Sequence, residues 1–143
     1  MSIIYNKGAG KMEFSSLVLM EKDRNTNFLT KELGSYEVGD GAEYVTKLFF
    51  DGENINMYFD THKDVEEWEF TAIYDLFDEE VFKNKGFYIE AYDEEYNPTW
   101  IVKFPYDEDH NLVKDKINEI CGLISDAMGK TFNDILDKKE QYM

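Results

Sequence analysis

The chain contains one cysteine, two prolines and one arginine in 143 residues, and no apolar run approaches the roughly 18 residues of a membrane-spanning helix. Each shortage excludes something. With Cys121 alone, neither an intrachain disulfide nor a zinc cluster built from thiolates can form. Cys121 sits in an apolar helical pattern and reads as a small buried hydrophobe, the wrong setting for the nucleophile of a Cys–His pair. The two prolines, Pro98 and Pro105, come late, and no Pro- or Ser-rich linker, internal repeat or low-complexity tract divides the chain. The opening segment MSIIYNKGAGK lacks the apolar core of a signal peptide. These features together predict a cytoplasmic protein. Arginine scarcity beside many Lys, Asn, Ile and Asp suggests an A- and T-rich genome, and hence a bacterial or phage source.

Positive charge is also in short supply, with 15 basic residues against 31 acidic, for a net charge of −16. The imbalance is local. Residues 51–96 hold 3 basic and 15 acidic residues, or −12, whereas residues 1–50 carry −1 and residues 97–143 carry −3. Nucleic acid and anionic membrane are therefore excluded as expected partners, because phosphate binding needs clustered Lys and Arg. A cation or a basic protein is what such a field attracts.

What is present is enough for a core: 43% hydrophobic residues, with 11 Phe, 10 Tyr and 2 Trp. Residues 1–11, with Gly8 and Gly10, read as a loose lead-in, with Met12 a second start position, and residues 12–143 as a single α+β domain. From Phe14 to Phe104 short alternating segments are separated by turn signals. The expected strands are Phe14–Glu21, Phe28–Val38 with a bulge at Gly34, Tyr44–Phe50, Ile55–Phe59, Phe87–Tyr92 and Thr99–Phe104. Asp51-Gly52 marks a tight hairpin turn. Residues 65–77 also alternate, with Trp68, Phe70, Ala72, Tyr74 and Leu76 on one face and Glu67, Glu69, Thr71 and Asp75 on the other. Only Ile73 breaks the pattern, and a strand is predicted there in preference to a helix capped by Asp60 or Thr61. Asp78 to Asn84 predicts a helical turn ending at Gly86.

The clearest element is a helix from about Asp109 to about Lys139, in which Val113, Ile117, Ile120, Cys121, Ile124, Ala127, Met128, Thr131 and Ile135 recur at helical spacing. Acids at its start and Lys138 and Lys139 near its end suit the macrodipole. The sum is an α+β fold: an antiparallel β-meander of about seven strands closed by a long C-terminal amphipathic helix on its concave face. This order of elements is similar to the pleckstrin-homology-like superfold, which implies a barrel; a curved open sheet fits the same pattern. The basic phosphoinositide pocket of that superfold has no counterpart in these residues.

No catalytic motif is found. Asp107-x-Asp109-x-Asn111 begins like a calcium loop, but Leu112 and Asn118 stand where glycine and glutamate are needed, so the stretch reads as a helix N-cap. His62 and His110 have no partner at metal-ligand spacing. Phosphate-cradle, serine-nucleophile and zincin patterns are missing, and 31 carboxylates make any glycosidase-like pair arbitrary. The chain is read as non-enzymatic, without cofactor or metal.

The candidate site is the acidic surface of Glu66, Glu67, Glu69, Asp75, Asp78, Glu79, Glu80, Glu90, Asp93, Glu94 and Glu95. Under the strand reading Glu67, Glu69 and Asp75 stand on the face opposite Trp68, and Glu90, with Tyr88 and Tyr92, lies on the neighbouring strand. A row of carboxylates along adjacent strands imitates DNA in sign and suits a basic protein partner. The function expected is a small acidic interaction module, such as an inhibitor or immunity-type protein; solubility alone is the simpler role for the same charge. The alternative is a small-ligand-binding protein with an apolar pocket between sheet and helix, lined by Met20, Phe49, Met57, Trp68 and Trp100. Self-association through a sheet edge is a third use of the fold, and the sequence does not discriminate monomer from dimer.

Overall fold

Three hairpins and one long helix carry the architecture of the computed structural model, which describes residues 4–6 and 15–143. The strands are β1 Ile4–Asn6, β2 Ser15–Lys22, β3 Leu29–Val38, β4 Val45–Phe50, β5 Asn54–Asp60, β6 Tyr88–Ala91 and β7 Thr99–Pro105. The α-helices are α1 Glu67–Leu76, α2 Glu80–Lys83 and α3 His110–Asp134. Apart from β1, the expected 1–11 lead-in lies outside the described residues.

Turn chemistry closes the first two hairpins. Asp23 Oδ1 accepts from the N–H of Asn25 at 2.8 Å, and the Asp23 N–H bonds the Phe28 carbonyl at 2.8 Å, joining β2 to β3. Between β4 and β5, Asp51 Oδ1 accepts from the N–H groups of Glu53 and Asn54, both at 2.9 Å, and Asp51 Oδ2 accepts from Asn56 Nδ2 at 3.0 Å. Burial pushes the Asp51 carboxyl up, but these bonds and nearby Lys103 together outweigh it and leave it below the usual range. Arg24 Nε donates to the Asp51 carbonyl at 2.9 Å and fastens the tip of one hairpin to the tip of the other.

The predicted hairpins are present, but they assemble differently from a meander. The sheet is open and six strands wide, in the order β3-β2-β4-β5-β7-β6, and β1 fills the first half of the β2 edge, opposite Ser15 to Leu17. It is mixed: β2 and β4 run parallel through Met20↔Phe49 and Glu21↔Phe50, and the other pairs are antiparallel. An antiparallel seven-stranded meander and a closed barrel are thus both corrected, and the strand order departs from the pleckstrin-homology-like arrangement. The reason is that β3 folds back outside β2, which leaves the inner edge of β2 for β4. The expected bulge at Gly34 is present, since Leu19 faces Gly34 while Met20 faces Glu32.

The larger correction concerns residues 65–77, which form α1 and not a strand. Glu66 and Glu69 make a reciprocal capping box, with the Glu66 N–H donating to Glu69 Oε1 at 2.8 Å, and Phe70 N–H bonds the Glu66 carbonyl at 2.9 Å. The buried pair is Ala72 and Ile73. Ile73, the residue that broke the alternation, was the sign of the helical period.

α3 begins where its cap predicts, with Asp109 Oδ1 accepting from Asn111 N–H at 3.0 Å and Leu112 N–H at 3.2 Å. Its stripe of Val113, Ile117, Ile120, Cys121, Ile124 and Met128 is buried in one cluster with Leu17 and Leu19 of β2, Leu48 of β4, Met57 and Phe59 of β5, and Trp100 and Val102 of β7. Burial pushes the Cys121 thiol up to about 12, which makes it inert as a nucleophile. Asn118 ties the helix to the end of β3, donating from Nδ2 to the Glu37 carbonyl at 2.9 Å and accepting from the Gly39 N–H at 3.2 Å. No helix among the described residues is long and apolar enough to cross a membrane.

Candidate functional site

Folding distributes the predicted acidic row over three places. At the start of α1, Glu66 and Glu69 cap the helix, and Glu67 is exposed in its first turn. A helix turns about 100° per residue, so Glu67, Glu69 and Asp75 no longer share a face; Asp75 lies beside the Tyr142 hydroxyl, which burial and this carboxylate raise. Around α2, Asp78 Oδ1 accepts from the Glu80 N–H at 3.0 Å, and Lys83 Nζ pairs with Glu79 at 3.8 Å and Glu80 at 3.5 Å. These carboxylates are spent locally. A DNA-like row along adjacent strands does not form, because its first members are on a helix.

The third group does come together. β6 and the turn to β7 carry Glu90, Asp93, Glu94 and Glu95, and the end of β5 and the loop after it bring Asp60 and Asp64 beside this turn at Glu95 and Asn97. Two anchors hold the turn. The Tyr74 hydroxyl of α1 accepts from the Thr99 N–H at 2.8 Å and lies 3.2 Å from the Tyr92 carbonyl and 3.1 Å from that of Thr99, one of which accepts its proton. On the other side, Asn97 Nδ2 donates to Asp64 Oδ1 at 3.1 Å. Between the anchors Tyr96 is 80% exposed.

The electrostatics show the crowding. Burial raises the Asp60 carboxyl, with Glu95 and Asp64 adding to it, while the His62 N–H at 2.8 Å only partly offsets them. Tyr58 is raised by burial and then by Tyr92, Glu90 and Glu95. Tyr88 donates to Glu90 Oε2 at 2.5 Å, and that bond raises its hydroxyl. Among the described residues, none of Asp60, Asp64, Glu90, Asp93, Glu94 and Glu95 has a Lys or Arg within 4.0 Å. Asp60, Asp64 and Tyr96 were missed by sequence reasoning. The only available signal was their membership of the acidic stretch, since their neighbours lie about thirty residues away along the chain.

The sign of the Asp60 shift gives a test. A carboxyl raised on folding favours the fold while protonated, and that contribution is lost as pH rises through its folded value. At neutral pH its charge therefore opposes folding. Asp60→Asn is expected to raise the urea midpoint at pH 7, with the advantage vanishing below about pH 3.5, under the ordinary carboxylate range. A variant less stable at both pH values would contradict this assignment.

Other chemistry is sparse. His110 stacks on Tyr36 at 4.7 Å and His62 meets the edge of Tyr44 at 6.0 Å. No group of three or more His, Cys, Asp or Glu among the described residues is placed to hold a metal ion. The five residues expected to line one apolar pocket separate: Met57 and Trp100 fill the core, Met20 and Phe49 stand on the opposite face of the sheet, and Trp68 is on α1. A cavity of ≈ 250 Å³ does lie between the first turns of α3 and the sheet, walled by Phe87, Phe104, Leu112 and Val113.

Residues 12–143 match the family described as "Family of unknown function (DUF6762)", and the chain belongs to that family. No curated protein and no solved structure matches it.

Proposed function

We propose that this member of DUF6762 is a small, non-enzymatic interaction module, an inhibitor or immunity-type protein of a bacterial or phage cytoplasm, that docks a basic protein partner through its acidic end. The observation that carries the reading is the β6–β7 turn, pinned by Tyr74 and Asp64, which offers exposed Tyr96 amid carboxylates that no described cation neutralises. A pre-ordered turn loses little entropy on docking, tyrosine adds contact area and a hydrogen bond, and the carboxylates select a cationic surface. The test is a pull-down of tagged protein, with nuclease treatment and stepwise salt, beside the triple variant Asp93→Asn, Glu94→Gln, Glu95→Gln. A basic protein released by salt and lost by the variant supports the proposal. A partner held equally by the variant, or nothing retained by the wild type, sinks it.

A second reading, a small-ligand protein with its site between sheet and helix, rests on the ≈ 250 Å³ cavity beside α3. That volume falls below the roughly 300–1,000 Å³ of ordinary ligand sites, so the acidic end is preferred.

A further inference from the structure

The face of the sheet turned away from α3 contains a different kind of site. Its strands present Met20 and Lys22 on β2, Lys47 and Phe49 on β4, Asn56 and Tyr58 on β5, the alternate positions to the core-facing residues. A cavity of ≈ 480 Å³ opens there, closed on one side by the tip of the β2–β3 hairpin, and none of its lining residues is Asp or Glu. Within a chain of net charge −16 this is a local reversal of sign. Lys22 Nζ is 4.9 Å from the Phe49 ring centroid and Lys47 Nζ is 5.1 Å from that of Tyr58, and the two rings lie 5.7 Å apart. Neither lysine has a carboxylate within 4.0 Å among the described residues.

Phe28 completes the arrangement. Its ring is 70% exposed at the rim, yet its backbone is held, with the N–H donating to Thr26 Oγ1 at 3.2 Å and the carbonyl accepting from the Asp23 N–H at 2.8 Å. Asn27, at φ +63°, turns the chain just before it. A positioned ring in water next to two ammonium groups offers both halves of a recognition surface: an aromatic face to stack on and charged donors.

We propose that this cavity binds a small organic anion with a planar aromatic body, its anionic group between Lys22 and Lys47 and its ring against Phe28, Phe49 and Tyr58. The volume lies within the range of small-molecule sites. Glu90 and Glu95 of the acidic end act on the Tyr58 hydroxyl, and Tyr58 forms one wall of this cavity. The anionic group is therefore placed between Lys22 and Lys47, and screening over about 8 Å at physiological ionic strength weakens the carboxylates' opposition. This site and the acidic turn are built from different residues, so removing the two lysines or the turn's carboxylates tests each proposal by itself.

The test uses 8-anilinonaphthalene-1-sulfonate, an aromatic sulfonate whose emission rises out of water, titrated beside the neutral N-phenyl-1-naphthylamine. One sulfonate dye per chain is expected, with the neutral dye weaker. Charged hydrogen bonds are strong enough that losing both amines in Lys22→Gln/Lys47→Gln should weaken the dye by about tenfold or more. Phe28→Ala, at an exposed side chain that leaves the core intact, should weaken it several-fold. Lys85→Gln/Lys116→Gln, which alters the cavity beside α3 instead, should change nothing. Equal binding of the neutral dye, full affinity in the Lys22/Lys47 variant, or loss in the Lys85/Lys116 variant overturns the proposal. So does a dimer by sedimentation that the dye dissociates, which would assign the face to a second copy of the chain.

Discussion

Gly41→Ala is expected to destabilise the protein by on the order of 3 kcal/mol, the sum of a left-handed backbone penalty of about 1–2 and an overlap penalty of about 1–3. Gly41 is buried at φ +97°, where the chain leaves β3 for β4, and a Cβ built on it would stand 1.9 Å from the Cys121 carbonyl oxygen of α3. That oxygen belongs to helix backbone and cannot rotate away as a side chain would. Relief requires moving the connection, where the Tyr44 N–H bonds the Gly41 carbonyl at 3.2 Å and the Gly41 N–H bonds Glu43 Oε1 at 2.9 Å, or moving α3 itself. Gly86→Ala is the control. Its φ is +86° but nothing lies within 4 Å of an added Cβ, so only the backbone penalty of about 1–2 kcal/mol should appear. Urea unfolding of the two variants separates strain from contact: equal losses would mean that the close approach to α3 does not hold in solution.

Trp100→Ala is expected to cost about 3–5 kcal/mol, a large fraction of the roughly 5–15 kcal/mol available to a domain of ordinary stability. Trp100 is 0% exposed and lies at the centre of an aromatic cluster, with ring centroids at 4.2 Å to Phe77, 5.1 Å to Tyr74 and 5.3 Å to Phe59. Its removal opens a cavity beneath α1 and withdraws the ring against which Tyr74, the anchor of the acidic turn, is packed. Trp100→Phe behaves differently. The indole Nε1 is buried without a hydrogen-bond partner among the described residues, and an unpaired buried donor costs about 1–3 kcal/mol. Phenylalanine leaves a smaller cavity and removes that donor, so the two effects largely cancel. Denaturant titration should place Trp100→Phe close to wild type and Trp100→Ala far below it. A Phe variant as unstable as the Ala variant would show that the indole N–H is satisfied in solution.

Local pattern was legible wherever an element's own neighbours decide it. The Asp51-Gly52 turn, the β2–β3 and β6–β7 hairpins and the Val113 to Thr131 stripe each follow from turn residues and from spacing within a single element or between two consecutive ones. Residues 65–77 show where this fails. Alternation of large and charged residues suited a strand, and a capping box of two glutamates at positions 66 and 69 decided for a helix. Once that segment is helical, the acidic residues on it turn in several directions, and the proposed interface moves to the β6–β7 turn.

The sequence by itself determined the class of the molecule: strands in hairpins, one C-terminal amphipathic helix, a buried unreactive cysteine and an acidic middle third. Turn chemistry, period and composition suffice for these, because each is set by the residue and its near neighbours. Only the tertiary structure decided that β2 and β4 lie parallel, that Asp60 and Asp64 join Glu95 and Asn97, and that Lys22 and Lys47 share one cavity. Sheet order depends on which edge is left open once the core has packed, a competition among segments far apart in the chain, so residues with no common local pattern become neighbours.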